Sequence, residues 1–157
     1  MSDNGPADAQ AEVTIDAPPE TVYRLITDLP TLTELAEETS AMQWKKGDQA
    51  VPGAVFKGEN RNGAKSWSTT CTVADAEPSR TFAFDVRFAV LPIAHWRYDI
   101  TPAGDGCTVV ERAWDRRPGW FKKVAGRSTG VVDRTGANSK HIELTLQRLK
   151  AKAELAG

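Results

Sequence analysis

The sequence predicts an α+β fold in which a curved antiparallel sheet of about six or seven strands wraps on one long C-terminal helix. Three observations carry this expectation. Apolar residues recur at helical spacing from about Asp133 to Ala156. Between Met42 and Asp115, strand-like segments are parted only by short turns. Strands joined so briefly pair antiparallel, because a parallel pair needs a crossover of about a dozen residues or more. Between the first strand and that series, prolines bracket two short apolar helical segments.

Each element follows from its residues. Residues 1–8 are polar, contain Gly5 and Pro6 and lack periodicity, so they read as a disordered lead-in to a single domain over residues 9–156. Ala11-Glu12-Val13-Thr14-Ile15 alternates apolar and polar side chains and reads as a strand. Asp16 is the candidate cap of the next helix, and Pro18 and Pro19 suit its first turn. From Glu20 to Asp28, Val22, Leu25 and Ile26 share one helical face. Pro30 stops that helix and opens a shorter one carrying Leu32 and Leu35. Strand signals then cover Met42-Gln43-Trp44, Val55 to Asn62, Lys65 to Ala76, Arg80 to Val90, Ala94 to Thr101 and Cys107 to Asp115. Asn62-Gly63 is a strong hairpin signal, and Pro102 to Gly106 supplies another turn. In the tail, Val131, Thr135, Ile142, Leu146, Leu149 and Ala153 draw one stripe along a helix. Asn138 falls on that stripe, and His141 lies beside it.

Composition excludes several classes. The 157 residues suit one domain with one core, and hydrophobic and charged contents of 40% and 26% are those of a globular chain. The longest apolar runs, such as Phe88-Ala89-Val90-Leu91, fall far short of the roughly 20 residues that span a bilayer. Met1 to Pro6 has neither a basic nor an apolar leader segment, so a cytoplasmic location is expected. Cys71 and Cys107 form no metal-binding spacing and read as buried structural thiols. Net charge is −1, yet Asp3 to Asp48 carries ten acids against three bases and Arg116 to Lys152 ten bases against two acids. The basic third suits a helix whose cations complement its dipole and coat its solvent face. No base-reading motif accompanies it, so nucleic acid is not the expected partner.

At the level of motifs, Val13-Thr14-Ile15-Asp16-Ala17-Pro18-Pro19-Glu20-Thr21-Val22-Tyr23 resembles the strand-to-helix opening of the START-like superfamily (SRPBCC, Bet v 1-like; polyketide cyclase and lipid transport). Trp96-Arg97-Tyr98-Asp99-Ile100-Thr101-Pro102 and Gly104-Asp105-Gly106-Cys107-Thr108-Val109-Val110-Glu111 are similar to its central hairpin, and Thr145-Leu146-Gln147-Arg148-Leu149-Lys150-Ala151 to its last helix. The resemblance covers nearly the whole chain. It implies the helix-grip fold and a pocket between sheet and helix. It is silent on chemistry, since that fold hosts carriers, receptors and cyclases alike.

Strand alternation supplies the candidate lining. Trp67, Thr69, Cys71 and Val73 share one face, as do Phe82, Phe84, Val86 and Phe88, and Trp96, Tyr98 and Ile100. Aromatic faces with a few hydroxyls suit an apolar or aromatic ligand, so Trp67, Thr69, Phe84, Val86, Trp96, Tyr98, Glu111 and Asn138 form the candidate site, although for any single residue of these faces an ordinary solid core is the favoured reading. Glu111 faces inward if Val109 does, and a carboxyl in an apolar cavity has a raised pKa. The competing and favoured position for Glu111 is near the sheet's edge, exposed or paired with Arg97 or Arg112. Asn138 bonds either a ligand or a pocket water, or marks the stripe's boundary with solvent. His95 on a polar strand face and His141 on the flank of the helix both read as surface histidines. Trp120 and Phe121, next to Lys122 and Lys123, suggest an entry lid or a transient membrane-surface contact, although capping of the core is the favoured role. Neither metal-ligand nor phosphate-loop motifs occur, and no cofactor is expected.

The function expected is binding or transport of a small hydrophobic ligand, lipid or polyketide-like, by a monomer or homodimer. The alternative is an aromatase/cyclase or dehydratase acting on a polyketide intermediate, with Glu111, Tyr98 and His141 as catalytic candidates and Asn138 beside them. A third class, a regulatory module acting through the basic tail, lacks a supporting motif.

Overall fold

A computed structural model of the chain describes residues 5–36, 39–118, 120 and 134–156. Its elements run β1 (Ala9–Ile15), α1 (Pro19–Thr27), α2 (Leu29–Leu35), β2 (Thr39–Lys46), β3 (Val55–Asn62), β4 (Lys65–Glu77), β5 (Thr81–Phe88), β6 (Leu91–Ala103), β7 (Gly106–Asp115) and α3 (Arg134–Ala156). The seven strands form one antiparallel sheet in the order β1-β7-β6-β5-β4-β3-β2. The helix-grip expectation holds. α3 lies across β1 and β7 and touches α1 and α2.

Local chemistry explains most boundaries. The residues at 62 and 65 pair directly, so the β3–β4 loop is Gly63-Ala64, one position later than an Asn-Gly centred turn. Gly63 takes the left-handed conformation (φ 63) that the first residue of such a loop needs. Asp28 caps α2, its Oδ2 accepting from Thr31 N at 3.2 Å and Thr31 Oγ1 at 2.6 Å. The cap expected at Asp16 is absent: Pro18 occupies the N-cap of α1 without a side-chain bond. Instead the Asp16 N–H donates to Glu154 Oε2 at 2.9 Å, tying the entry of α1 to the end of α3.

Three strands extend well beyond the sequence reading, and one of them, β6, runs from Leu91 to Ala103 rather than from Ala94 to Thr101. β2 has eight residues rather than three, because pairing with β3 supplies the order that its polar composition does not advertise. β1 begins at Ala9 and pairs along its full length with β7, from Ala9–Ala113 to Ile15–Cys107. The pairing even reaches into the stretch read as a disordered lead-in. The Asp8 N–H donates to Ala113 O at 2.9 Å, Asp8 Oδ2 accepts from Asp115 N at 2.7 Å, and Gly5 O accepts from Trp114 Nε1 at 3.0 Å.

The core lies between the sheet's concave face and the helices. Ile142, Leu146, Leu149 and Ala153 of the α3 stripe are buried, and Phe56, Phe82 and Val109 face them from the sheet side. Val131 and the side chain of Thr135 lie outside the described residues. Thr145 Oγ1 and Arg148 Nη1 both donate to Leu35 O, at 3.1 and 3.2 Å, which satisfies a carbonyl left open where α2 ends.

Candidate functional site

The concave face grades from solid core to open surface. Along β5, exposure rises from 0% at Phe82 through 8% at Phe84 and 9% at Val86 to 40% at Phe88. The open end is the one where the β3–β4 and β5–β6 hairpins turn, β1 begins and β7 ends. It is called the mouth below. Aromatic contacts run across the face, edge-on from Trp44 to Phe56 (centroids 5.5 Å apart) and from Phe56 to Phe84 (5.3 Å), and tilted from Phe84 to Phe82 (5.4 Å). Trp67 and Trp96 are half-buried on the mouthward side. Phe56 and Trp44 are absent from the candidate set read from sequence, although the alternation of β3 pointed to Phe56.

Thr69 sits in a polar cluster near the mouth. Asn60 Nδ2 donates to Thr69 Oγ1 at 3.1 Å, and Asn60 Oδ1 accepts from Thr39 Oγ1 at 3.1 Å. A Cβ at Gly58 would come within 3.1 Å of Thr69 Oγ1, so the glycine leaves room for this contact. Gly58 inside a strand was the one sequence signal for the cluster.

Glu111 is the chemically distinctive group. It is only 2% exposed and pairs across the sheet with Tyr98, itself 3% exposed. Glu111 Oε1 has no hydrogen-bond partner among the described residues. Burial pushes the Glu111 carboxyl up to about 8, and a hydrogen bond with Tyr98 opposes that rise only in part. Burial also raises the Tyr98 hydroxyl, reinforced by the charge and hydrogen bond of Glu111. Near neutral pH, Glu111 is therefore a carboxylic acid with an oxygen to offer.

The edge position favoured for Glu111 is corrected by the topology. β1 occupies the edge outside β7, so β7 is interior and its Val109-Glu111-Ala113 row faces the core. Arg97 and Arg112 lie on the opposite face and both bind Asp99 there, at 2.9 and 3.1 Å. A second correction concerns His95. It is 5% exposed, its Nδ1 is 2.7 Å from Asp85 Oδ1, and its ring lies 5.3 Å from that of Trp114. It still points away from the concave face; Trp114, whose indole binds Gly5 O, covers it. His141 is half-buried on α3. Asn138 is buried on α3, and of the segment read as a lid only Trp120 is described, 63% exposed. The expected burial of both cysteines is observed, and it drives the Cys71 thiol up to about 12. No group of three or more His, Cys, Asp or Glu gathers to hold a metal among the described residues, and no described helix is long and apolar enough to cross a membrane.

The model of the polyketide cyclase / dehydrase and lipid transport family matches residues 6–154. The chain belongs to this family. Among solved structures, the family fold recurs in the di-domain ARO/CYC StfQ of the steffimycin biosynthetic pathway, at 14% identity and a TM-score of 0.72. That match covers 94% of this chain and 50% of StfQ, so the chain spans half the length of that protein. The Polyketide_cyc-like protein Cgl2372 from Corynebacterium glutamicum is 26% identical with a TM-score of 0.63, covering 94% and 91% of the two chains. TTHA0849 from Thermus thermophilus is 19% identical with a TM-score of 0.67, covering 95% and 98%. No curated protein matches. As in the family's description, a ligand-binding and a cyclase role are both compatible with the fold.

Proposed function

We propose that this protein binds a small hydrophobic ligand, lipid or polyketide-like, between the sheet and α3, and that Glu111 with Tyr98 engages a polar atom of that ligand. The carrying observation is the Glu111 carboxyl, buried with Oε1 unpartnered on the same face as the aromatic row. A buried polar atom left unpaired costs about 1–3 kcal/mol, which a ligand donor or acceptor would recover. Trp96, Trp67, Phe84 and Val86 would cover the ligand's apolar body, with Thr69 and Asn138 as further polar neighbours.

The experiment is native mass spectrometry of protein purified from its own host, followed by displacement of a fluorescent naphthalene-sulfonate probe. A retained hydrophobic molecule and probe binding weakened by Trp96→Ala are expected. Absence of both, with the aromatic face inaccessible to the probe, would sink the reading.

A second reading, aromatase/cyclase or dehydratase, is favoured by one observation. Held protonated near neutral pH, Glu111 has a proton to donate to a carbonyl or a departing hydroxyl, with Tyr98 relaying or replacing it. The likeness to StfQ supports this reading only at the level of fold. Loss of trial-polyketide turnover in Glu111→Gln and Tyr98→Phe, with probe binding retained, would select catalysis over carriage.

A further inference from the structure

Three hairpins of the sheet share one loop geometry, and one of them breaks its chemistry. The loops are Gly63-Ala64, Ala89-Val90 and Gly104-Asp105, each flanked by a directly paired residue on either side. In each, the first residue is left-handed: Gly63 at φ 63, Gly104 at φ 61 and Ala89 at φ 54. Glycine takes that conformation freely; alanine is strained there. The second residue of the odd loop, Val90, is 84% exposed. It belongs to an unbroken apolar run, Phe88-Ala89-Val90-Leu91-Pro92-Ile93, at the tip of a hairpin where turn residues are ordinarily polar. Such a strained and exposed apolar tip is a surface that water does not stabilise.

Its surroundings are basic. Arg61, Lys65 and Arg87, beside the two hairpin loops at the mouth, are exposed and make no ion pair among the described residues. Most acids nearby are engaged, Glu59 with Lys57 and Ser68, Asp85 with His95, and Asp115 with Arg117 at 2.8 Å, while Asp8 accepts from the Asp115 N–H. Trp120, 63% exposed, follows the end of β7 by five residues. The Arg116 N–H donates to Ile93 O at 2.9 Å, so the chain leaving β7 passes the base of the tip four residues before Trp120.

We infer that the mouth of the grip docks on an anionic lipid bilayer, with the Phe88–Ile93 hairpin tip entering the interface and Arg61, Lys65 and Arg87 meeting the headgroups. An apolar element that enters the interface and a ring of cations around it are the two components that bind anionic membranes together. The docked face is the mouthward end of the aromatic row. A hydrophobic ligand would then pass between bilayer and protein without crossing water. The surface lies apart from Glu111, so its test does not depend on the ligand reading.

The experiment is co-sedimentation of the whole chain with vesicles of phosphatidylcholine alone or mixed with phosphatidylglycerol, at low and high salt. Binding to the mixed vesicles, and its loss at high salt, are expected. Val90→Asp should weaken that binding about tenfold or more, and Arg61→Glu with Arg87→Glu by a similar factor. Ala89→Gly keeps the loop geometry and should leave binding unchanged. So should Glu111→Gln, even if it alters ligand binding. All these positions except Glu111 are exposed, and an unchanged melting curve confirms that each variant folds. The inference is overturned if the wild-type chain binds neither vesicle, if both compositions bind equally, or if Val90→Asp binds as the wild type does. A dimer that forms without vesicles and is abolished by Val90→Asp would also overturn it, by assigning the tip to a second copy of this chain.

Discussion

The two faces of the sheet handle their carboxylates in opposite ways. On the convex face, Asp99 accepts from Arg97 and Arg112, and its Oδ1 also accepts from Thr81 Oγ1 at 3.1 Å; Asp75 binds Arg97 from the other side. Every acid of this cluster is matched by a cation and remains in reach of water. On the concave face, Glu111 is buried beside Tyr98, and its Oε1 has no partner among the described residues. Neighbours in sequence are parted by the strand period, since Tyr98 and Asp99, or Glu111 and Arg112, point to opposite sides. The charge-rich face is therefore the quiet one. The buried Glu111 carboxyl is where a ligand's polar atom gains most, by binding or by accepting a proton.

The largest expected contrast between the faces is in packing. Phe56→Ala removes a side chain that is 0% exposed and stacked edge-on against two rings, and should cost about 3–5 kcal/mol in denaturant unfolding. Arg97→Ala on the convex face should cost about 1 kcal/mol or less, and less again at high salt, because its pairs are partly exposed. A larger loss for Arg97 than for Phe56 would reverse the assignment of the core.

Intermediate in size is the pH dependence of Glu111. The fold raises this carboxyl from 4.5 to about 8, so the folded state holds a proton that the unfolded chain releases. The stability this contributes is complete below about pH 4.5 and is lost as the pH rises toward 8, on the order of 1 kcal/mol per pH unit within that window. Glu111→Gln cannot ionise and should show a flatter profile between those limits. Melting curves across that range measure the difference; parallel slopes for the two proteins would argue against a protonated Glu111.

The smallest effect is chemical rather than energetic. Buried and pushed up to about 12, the Cys71 thiol should resist an alkylating reagent at pH 8 until denaturant is added. Prompt modification of Cys71 in the folded protein would show that the concave face opens more than its packing implies.

Much of this architecture was legible in the residues. The stripe Ile142-Leu146-Leu149-Ala153 marked α3, the hairpin signal at Asn62-Gly63 helped bound Val55 to Asn62 as β3 to the residue, and the aromatic rows fell on the face that is buried. The polar β2 was legible only as Met42 to Trp44, since an edge strand exposes most of its side chains. His95 illustrates a different limit. Its polar neighbours Arg97 and Asp99 signalled solvent, but Trp114 and the Gly5 segment arrive from distant parts of the chain to cover it.

The sequence by itself determined periodicity, turns and which residues share a face, because these depend on the local geometry of the backbone. Whether Glu111 is a surface acid or a buried one depended on which strand lies outside β7. That strand is β1, about ninety residues earlier. Long-range pairing closes the sheet edge, removes water from Glu111 and raises its pKa, and no local pattern carries that information. Likewise the apolar run at Phe88 was visible in the sequence as a strand end. Only the fold turned it into an exposed tip at the mouth, where a left-handed Ala89 stands in the place that glycine fills in its two sister loops.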